Sequence, residues 1–456
     1  MSTATASGAG KKKRHIPGFA QLQRVGRSLM MPIAVLPAAA LLLRFGQPDM
    51  LGADGLAQFA GWLQPVADVL AAAGGALFDN LALIFAVGVA IGFAKKADGS
   101  TALAAVVGFL VLDNVFTALA PTFGTPGGDG ENVINYGVLA GIIVGIVAAV
   151  LYQRYYRIKL PTYLGFFGGR RFVPIVTAVA AMITGVIMAI IYPLFDALIN
   201  KGVGGFLMEH GSNPATGFIF GTINRLLIPF GLHHLLNNLP WFQLGSCTNA
   251  DGQTMHGDIT CFFNGVDGTA DWTGSFMTGF FPIMMFALPA AALAIYHTAH
   301  KSRRKLVGGI MISVALTAFI TGITEPLEYA FAYVAFPLYA VHAVLTGTSL
   351  ALVNALGIKS GFGFSAGAID YLLNMGRAAE LSGGFLPVLL LIVIGLGYAA
   401  VYYFLFRWAI VKFNLHTPGR EEEGDAGEGA PSVFDEAQEA AAESTGKTRA
   451  EKEGRQ

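Results

Sequence analysis

The sequence predicts an all-α polytopic membrane protein with about ten transmembrane helices, interrupted by re-entrant hairpins and broken helices. Of its 456 residues 54% are hydrophobic and 13% charged, with a mean hydropathy of +0.58. That is more apolar surface than one water-soluble core encloses. Apolar stretches of roughly 18 to 25 residues, each long enough to cross a hydrocarbon layer of about 30 Å, recur along the chain. Lys and Arg collect between these stretches and the formal net charge is zero, which gives no reason to expect a nucleic-acid partner. Lipid is the expected solvent.

Taken in order, residues 1–18 are small, polar and basic and read as disordered. An amphipathic stretch, 19–27, leads into a first apolar segment at 29–43, where Pro32 and Pro37 imply a kinked or broken helix. Spans are expected at 77–94, 101–119, 136–152 and 173–195. From 213 to 244 the chain is apolar overall yet carries Asn224, Arg225, Pro229, His233, His234, Asn237, Asn238 and Pro240, the signature of a re-entrant or discontinuous element. Spans follow at 276–296 and 306–322, then an interruption at 322–328, a third broken region at 357–370 rich in Gly and Ser, and a last span at 385–408. After Thr417-Pro418-Gly419 the composition turns to Glu, Gly, Ala and Asp. The expected divisions are therefore 1–18, a first membrane half at 19–200, a second at 201–412 and an acidic, disordered tail at 413–456.

Short cytoplasmic loops of membrane proteins retain Lys and Arg. Residues 11–14, the 154–159 segment with Arg170 and Arg171, the 301–305 cluster, and Arg407 with Lys412 would all face the cytoplasm, placing both termini inside. The start of the chain reads as a retained segment rather than a cleaved signal. Cys247 and Cys261 lie in a stretch, 246–275, without Lys or Arg, which is expected to be external. They could pair in an oxidising compartment, but a separation of fourteen positions does not establish proximity, and two unpaired small residues is the favoured reading. In the same loop, His256, Asp258 and Asp267 lack the regular spacing of a metal site and are expected to form turns.

Arg225, His233 and Glu325 stand out because ionisable groups at membrane depth cost several kcal/mol unless they pair or line a watery cavity. A sugar is uncharged and rich in hydroxyls; a carboxylate can accept from those hydroxyls while guanidinium and imidazole donate. Breaks in the helices add free backbone groups, a common way of building transporter sites. The alternative is a structural Arg225–Glu325 ion pair with His233 satisfying a carbonyl. Secondary candidates for substrate contact are His234, Asn237, Glu328, Asn80, Ser365 and Asp370. Asn80 is expected chiefly to cap the helix that starts there. No phosphate-binding loop, zinc-protease helix or nucleophile elbow occurs, and no metal or cofactor is expected.

At Asn224-Arg-Leu-Leu-Ile-Pro-Phe-Gly-Leu-His-His234, Gly322-Ile-Thr-Glu-Pro-Leu-Glu328 and Gly363-Phe-Ser-Ala-Gly-Ala-Ile-Asp370 the chain resembles the enzyme IIC component of the glucose superfamily of phosphotransferase system permeases. The likeness spans roughly 19–420. The stretches 36–49, 166–170, 278–285 and 414–420 resemble the N-acetylglucosamine branch in particular. The resemblance implies a homodimer whose first half forms the interface while the second is a mobile transport domain. It implies that Arg225, His233 and Glu325 bind the sugar, and that a phosphocysteine on enzyme IIB phosphorylates the sugar 6-hydroxyl. The segment after Arg420 is short for an enzyme IIB domain and has no cysteine, so the donor is expected on a separate chain. Two other readings stay open at this point: a glucose or maltose permease of the same superfamily, and a sugar transporter or sensor without phosphorylation.

Overall fold

The computed structural model describes residues 35–420 except positions 96, 127–130, 231, 250, 251, 253, 267–270, 333 and 334, together with Ser28 and Pro32. The basic start, the stretch 267–270 and positions 421–456 of the acidic tail lie outside the described residues. Among the described residues the fold is all-α with two small antiparallel hairpins, and six helices are long and apolar enough to cross a membrane, or seven if one bent pair counts as a span. About ten were expected. The difference lies in elements that are apolar but too short to span alone: Leu36–Phe45, the broken stretch at 213–244, and the 276–296 segment, whose helix covers Pro282–Thr298.

The first half begins with α1 (Leu36–Phe45), α2 (Gln64–Asp79) and α3 (Leu81–Phe93). The single span expected at 77–94 is instead a junction: the α2 and α3 regions meet at Asn80 with a bend of 57°. The Asn80 amide donates to the Ala76 carbonyl at 2.8 Å, so it closes the end of α2, whereas sequence had suggested a cap for the start of α3. Helix α4 (Gly99–Phe123) is opened by a capping box in which the Asp98 side chain accepts from Ser100 N–H at 2.9 Å and Thr101 returns to Asp98 N–H. A hairpin pairing Thr125 with Val133 joins α4 to α5 (Val138–Tyr155), and α6 (Phe172–Phe195) completes the half. One apolar cluster, built from residues between Ala86 and Tyr192, holds α3 to α6 together.

The second half is held by two further clusters, one running from Ile283 to Ile410 and one from Phe220 to Leu391. Its long helices are α11 (Arg304–Thr321), α13 (Phe336–Ala355) and α16 (Phe385–Lys412); α7 (Pro214–Leu227), α8 (His233–Asn238), α9 (Asp258–Asn264), α10 (Leu288–Thr298), α12 (Glu325–Ala332), α14 (Ala368–Leu373) and α15 (Met375–Leu381) are shorter. Large apolar side chains such as Ile312, Val393 and Phe404 point outward from α11 and α16, the reverse of a water-soluble surface and the arrangement lipid requires. Helices α7 and α13 meet through small residues: a Cβ at Gly221 would lie 3.1 Å from the Gly347 Cα, and one at Gly347 would lie 2.5 Å from the Phe218 carbonyl oxygen. Such seams let backbones approach without side chains between them.

The polar loop before α10 does contain a disulfide, Cys247–Cys261, correcting the expectation of two unpaired thiols. A short hairpin, with Ser246 opposite His256, turns the chain back so that α9 can present Cys261 to the first strand. Asp258 at the start of α9 is fully buried and accepts from the N–H groups of Gly274 and Phe276 at 2.5 and 3.2 Å, fastening this loop to the base of the second half.

Candidate functional site

Three interruptions of helical backbone converge here. Helix α7 ends in a short turn at Ile228–Phe230 and resumes as α8. Helix α11 stops at Gly322, whose left-handed φ of 73° suits glycine, and α12 begins three residues later with Glu325 and Glu328 in its first turn, where the helix dipole favours carboxylates. The third, at 357–367, touches the second closely: a Cβ at Gly322 would lie 2.7 Å from Ser365 Oγ, one at Gly367 would lie 2.5 Å from the Gly322 nitrogen, and Ser365 Oγ donates to the Gly322 carbonyl at 2.9 Å. Around these breaks lies a cavity of about 80 Å³ lined by Asn224, Arg225, His233, His234, Asn237, Glu325 and Ser365, with Trp241, Phe280 and Thr324 among the remaining wall.

Six of the nine residues singled out from sequence therefore meet at one cavity. His233 Nε2 stands 3.5 Å from Glu325 Oε1, and the His233 and His234 rings lie with centroids 3.7 Å apart. The Thr324 N–H donates to the other Glu325 oxygen at 3.1 Å, and Asn224 donates to the Asn237 side-chain oxygen. Arg225 is 2% exposed and its guanidinium lies 4.8 Å from the centre of the Phe280 ring. His233 Nδ1 and Arg225 Nε are buried with no hydrogen-bond partner among the described residues, and such groups are exceptional in folded proteins.

The ion pair is not the one sequence suggested. Arg225 Nη1 donates to Glu328 at 2.7 Å and to Thr324 Oγ1 at 3.2 Å, while Glu325 faces His233. Glu328 is fully buried and lies behind the cavity wall, within 3.2 Å of the Tyr339 hydroxyl and 3.6 Å of His342 Nε2; the Tyr339 hydroxyl also donates to the Arg225 carbonyl. His342 Nδ1 meets the Tyr402 hydroxyl at 2.8 Å. Asp370 is likewise outside the cavity, where it accepts from Gly363 N–H at 2.8 Å and braces the third break. Asn80 lines a different, larger chamber. Sequence reasoning missed Thr324, Tyr339 and His342. The last was open to detection, because an imidazole inside the apolar stretch of α13 is costly without a partner.

The Phosphotransferase system, EIIC family matches residues 26–347 of this chain. The chain is 52% identical over 427 residues to the "PTS system N-acetylglucosamine-specific EIIC component" of Streptomyces coelicolor, covering 93% of this chain and 98% of that one. It is 49% identical over 413 residues to the "PTS system N-acetylglucosamine-specific EIICBA component" of Escherichia coli, covering 90% and 58%. It is 48% identical over 423 residues to the "PTS system glucose-specific EIICBA component" of Staphylococcus carnosus, covering 89% and 61%. The chain thus spans less than two thirds of the two EIICBA relatives and nearly all of the Streptomyces one.

Proposed function

Because the chain belongs to the phosphotransferase system EIIC family, we propose that it carries N-acetylglucosamine inward across the bacterial cytoplasmic membrane, coupled to phosphorylation of the sugar 6-hydroxyl by a separate phosphorylated enzyme IIB. The specificity and the separate donor rest on the Streptomyces relative, which is named as an EIIC component alone and matches along almost its whole length. The observation that carries the site is the convergence of Arg225, His233 and Glu325 on one cavity at three helix breaks. Glu325 accepts from sugar hydroxyls, His233 donates or accepts through whichever ring nitrogen Glu325 leaves free, and Arg225 donates through the guanidinium hydrogens that Glu328 and Thr324 do not take. Asn237, His234 and Ser365 complete the wall. Glu328, Asp370 and His342 hold these groups in place.

In the transfer step the phosphorus–sulfur bond of the donor cysteine breaks and a phosphorus–oxygen bond to the sugar forms, with loss of the hydroxyl proton. The permease contributes chiefly alignment. The second half, 201–412, moves as the transport domain against the first, 19–200, which forms the contact between two copies of the chain; the separate apolar clusters of the two halves support that division. Both termini are cytoplasmic, a placement supported by Arg154, Arg157, Lys159, Arg170, Lys301, Arg303, Arg407 and Lys412 in the intervening loops and helix ends and by the disulfide in the loop assigned to the outer side.

Glu325→Gln removes the accepting charge and is expected to abolish uptake in vesicles supplied with phosphorylated enzyme IIB, while the variant still reaches the membrane; full uptake would overturn the assignment. Glucose is the second reading, favoured by the 48% identity to the Staphylococcus carnosus relative. A panel of labelled sugars in the same assay separates them, since excess glucose competes strongly only if glucose is the substrate.

A further inference from the structure

A second chamber, larger than the one just described, lies elsewhere among the described residues. Between the α2–α3 junction, α4 and the start of α5 on one side, and Asn238, Phe242, Gln243 and the disulfide-bearing loop on the other, lies a cavity of about 600 Å³. A cavity of that size accommodates a small molecule, whereas the Arg225–His233–Glu325 cavity, at about 80 Å³, is well below the roughly 300 Å³ at which such sites begin. The wall of the large chamber combines apolar rings, Phe78, Phe109 and Phe242, with carboxylates and amides, Asp79, Asp113 and Asn135. No lysine or arginine is among its described lining residues. Rings receive the apolar face of a sugar, carboxylate and amide oxygens accept its hydroxyls, and a wall with two carboxylates and no cation disfavours a phosphate.

One thin element separates the two cavities. Helix α8 contributes Asn237 to the small cavity and the adjacent residue, Asn238, to the large one. Gln243 secures this partition to the first half: its amide donates to the Asn238 side-chain oxygen and reaches the Tyr136 carbonyl at 3.5 Å. The approach depends on Gly137, where φ is +53° and a Cβ would lie 2.0 Å from Gln243 Nε2. The large chamber is bounded by Thr254, Met255 and His256 of the loop closed by the disulfide, a bond that persists on the oxidising side of the membrane.

We propose that the 600 Å³ chamber is an outer docking site for the uncharged sugar, filled before the sugar passes the α8 partition to the Arg225–His233–Glu325 cavity. The inference rests on the permease reading above and adds to it a second subsite with its own selectivity, for neutral sugar over sugar phosphate. The two native cysteines are paired, so Asp113→Cys introduces the single free thiol of the whole chain. In intact cells producing the full chain, a membrane-impermeant maleimide added outside should modify this thiol. N-acetylglucosamine should slow the modification several-fold, and equally so in a Glu325→Gln background, while N-acetylglucosamine 6-phosphate should not. Asn135→Cys serves as a second position on the same wall should Asp113→Cys not reach the membrane. Lack of modification from outside, absence of protection, or protection only with Glu325 intact would each overturn the docking site. Normal uptake by Glu325→Gln would instead overturn the inner site and leave the docking result standing.

Discussion

Glu325 and Glu328 occupy the same short helix three residues apart and do different work. Glu328 is fully buried against Arg225, Tyr339 and His342; removing one member of such a pair leaves a stranded charge and costs about 3–5 kcal/mol. Glu328→Gln is therefore expected to lower the thermal unfolding temperature of the purified protein by many degrees, whereas Glu325→Gln, at a half-open cavity wall, should lose uptake with little thermal change. Equal thermal losses in both variants would show that the two carboxylates are structural alike. Sequence made both glutamates and the arginine conspicuous, because charge at membrane depth demands an explanation. It could not assign the partner, since 103 positions separate Arg225 from Glu328 and only the approach of α7, α12 and α13 selects which carboxylate the guanidinium meets.

At the scale of elements, the helix breaks were legible because Gly, Pro, Asn and charge interrupt apolar runs, but their mutual contact was not. Gly322 and Gly367 belong to different breaks and touch backbone to backbone. Gly367→Ala would place a methyl group 2.5 Å from the Gly322 nitrogen and the Ile320 carbonyl oxygen, so it should cost about 1–3 kcal/mol and reduce uptake. A variant as stable and active as the parent would show that the second and third breaks are not rigidly joined. The disulfide loop offers a different test. Burial pushes the Asp258 carboxyl up to about 7, against the two N–H groups and the nearby Lys359 that favour its charge. An unfolded aspartate titrates near pH 3.9, so from about pH 4 to 7 only the folded chain holds this proton. The stability it confers is complete below that window and is lost as pH rises through 7. The unfolding temperature should fall between pH 5.5 and 8 in the parent and much less in Asp258→Asn; an equal fall in both would exclude Asp258 as the cause. No periodicity announced this loop, because strands of three residues are too short to carry one.

For the molecule as a whole, composition and run length sufficed for an all-α membrane fold, while the expected count of about ten spans exceeds the six or seven helices long enough to cross alone among the described residues, because an apolar run does not reveal whether it stays one helix or breaks. At about 80 Å³ the Arg225–His233–Glu325 cavity is below the roughly 300 Å³ of a small-molecule site, so the proposed function requires it to widen, which the proposed movement of one half against the other would achieve. Phe78 of the first half and Phe242 of the second lie with ring centroids 6.1 Å apart, tilted by 34°. Joining them with a cleavable bifunctional thiol reagent in a Phe78→Cys, Phe242→Cys double variant should lower uptake far below that of the untreated double variant, and cleaving the tether should restore that level. Continued uptake by the joined protein would refute relative movement there.

The glycine seam between α7 and α13 has a bearing on that movement. Two rods whose main chains come together over Gly217, Gly221 and Gly347 leave little slack between them, so displacing one displaces the other. Arg225 rides on the first rod while Tyr339 and His342 ride on the second, with Glu328 clasped between them. A journey of the sugar through the bilayer could thus proceed with this charge sealed inside its carrier throughout, never stripped of its counterion on the way.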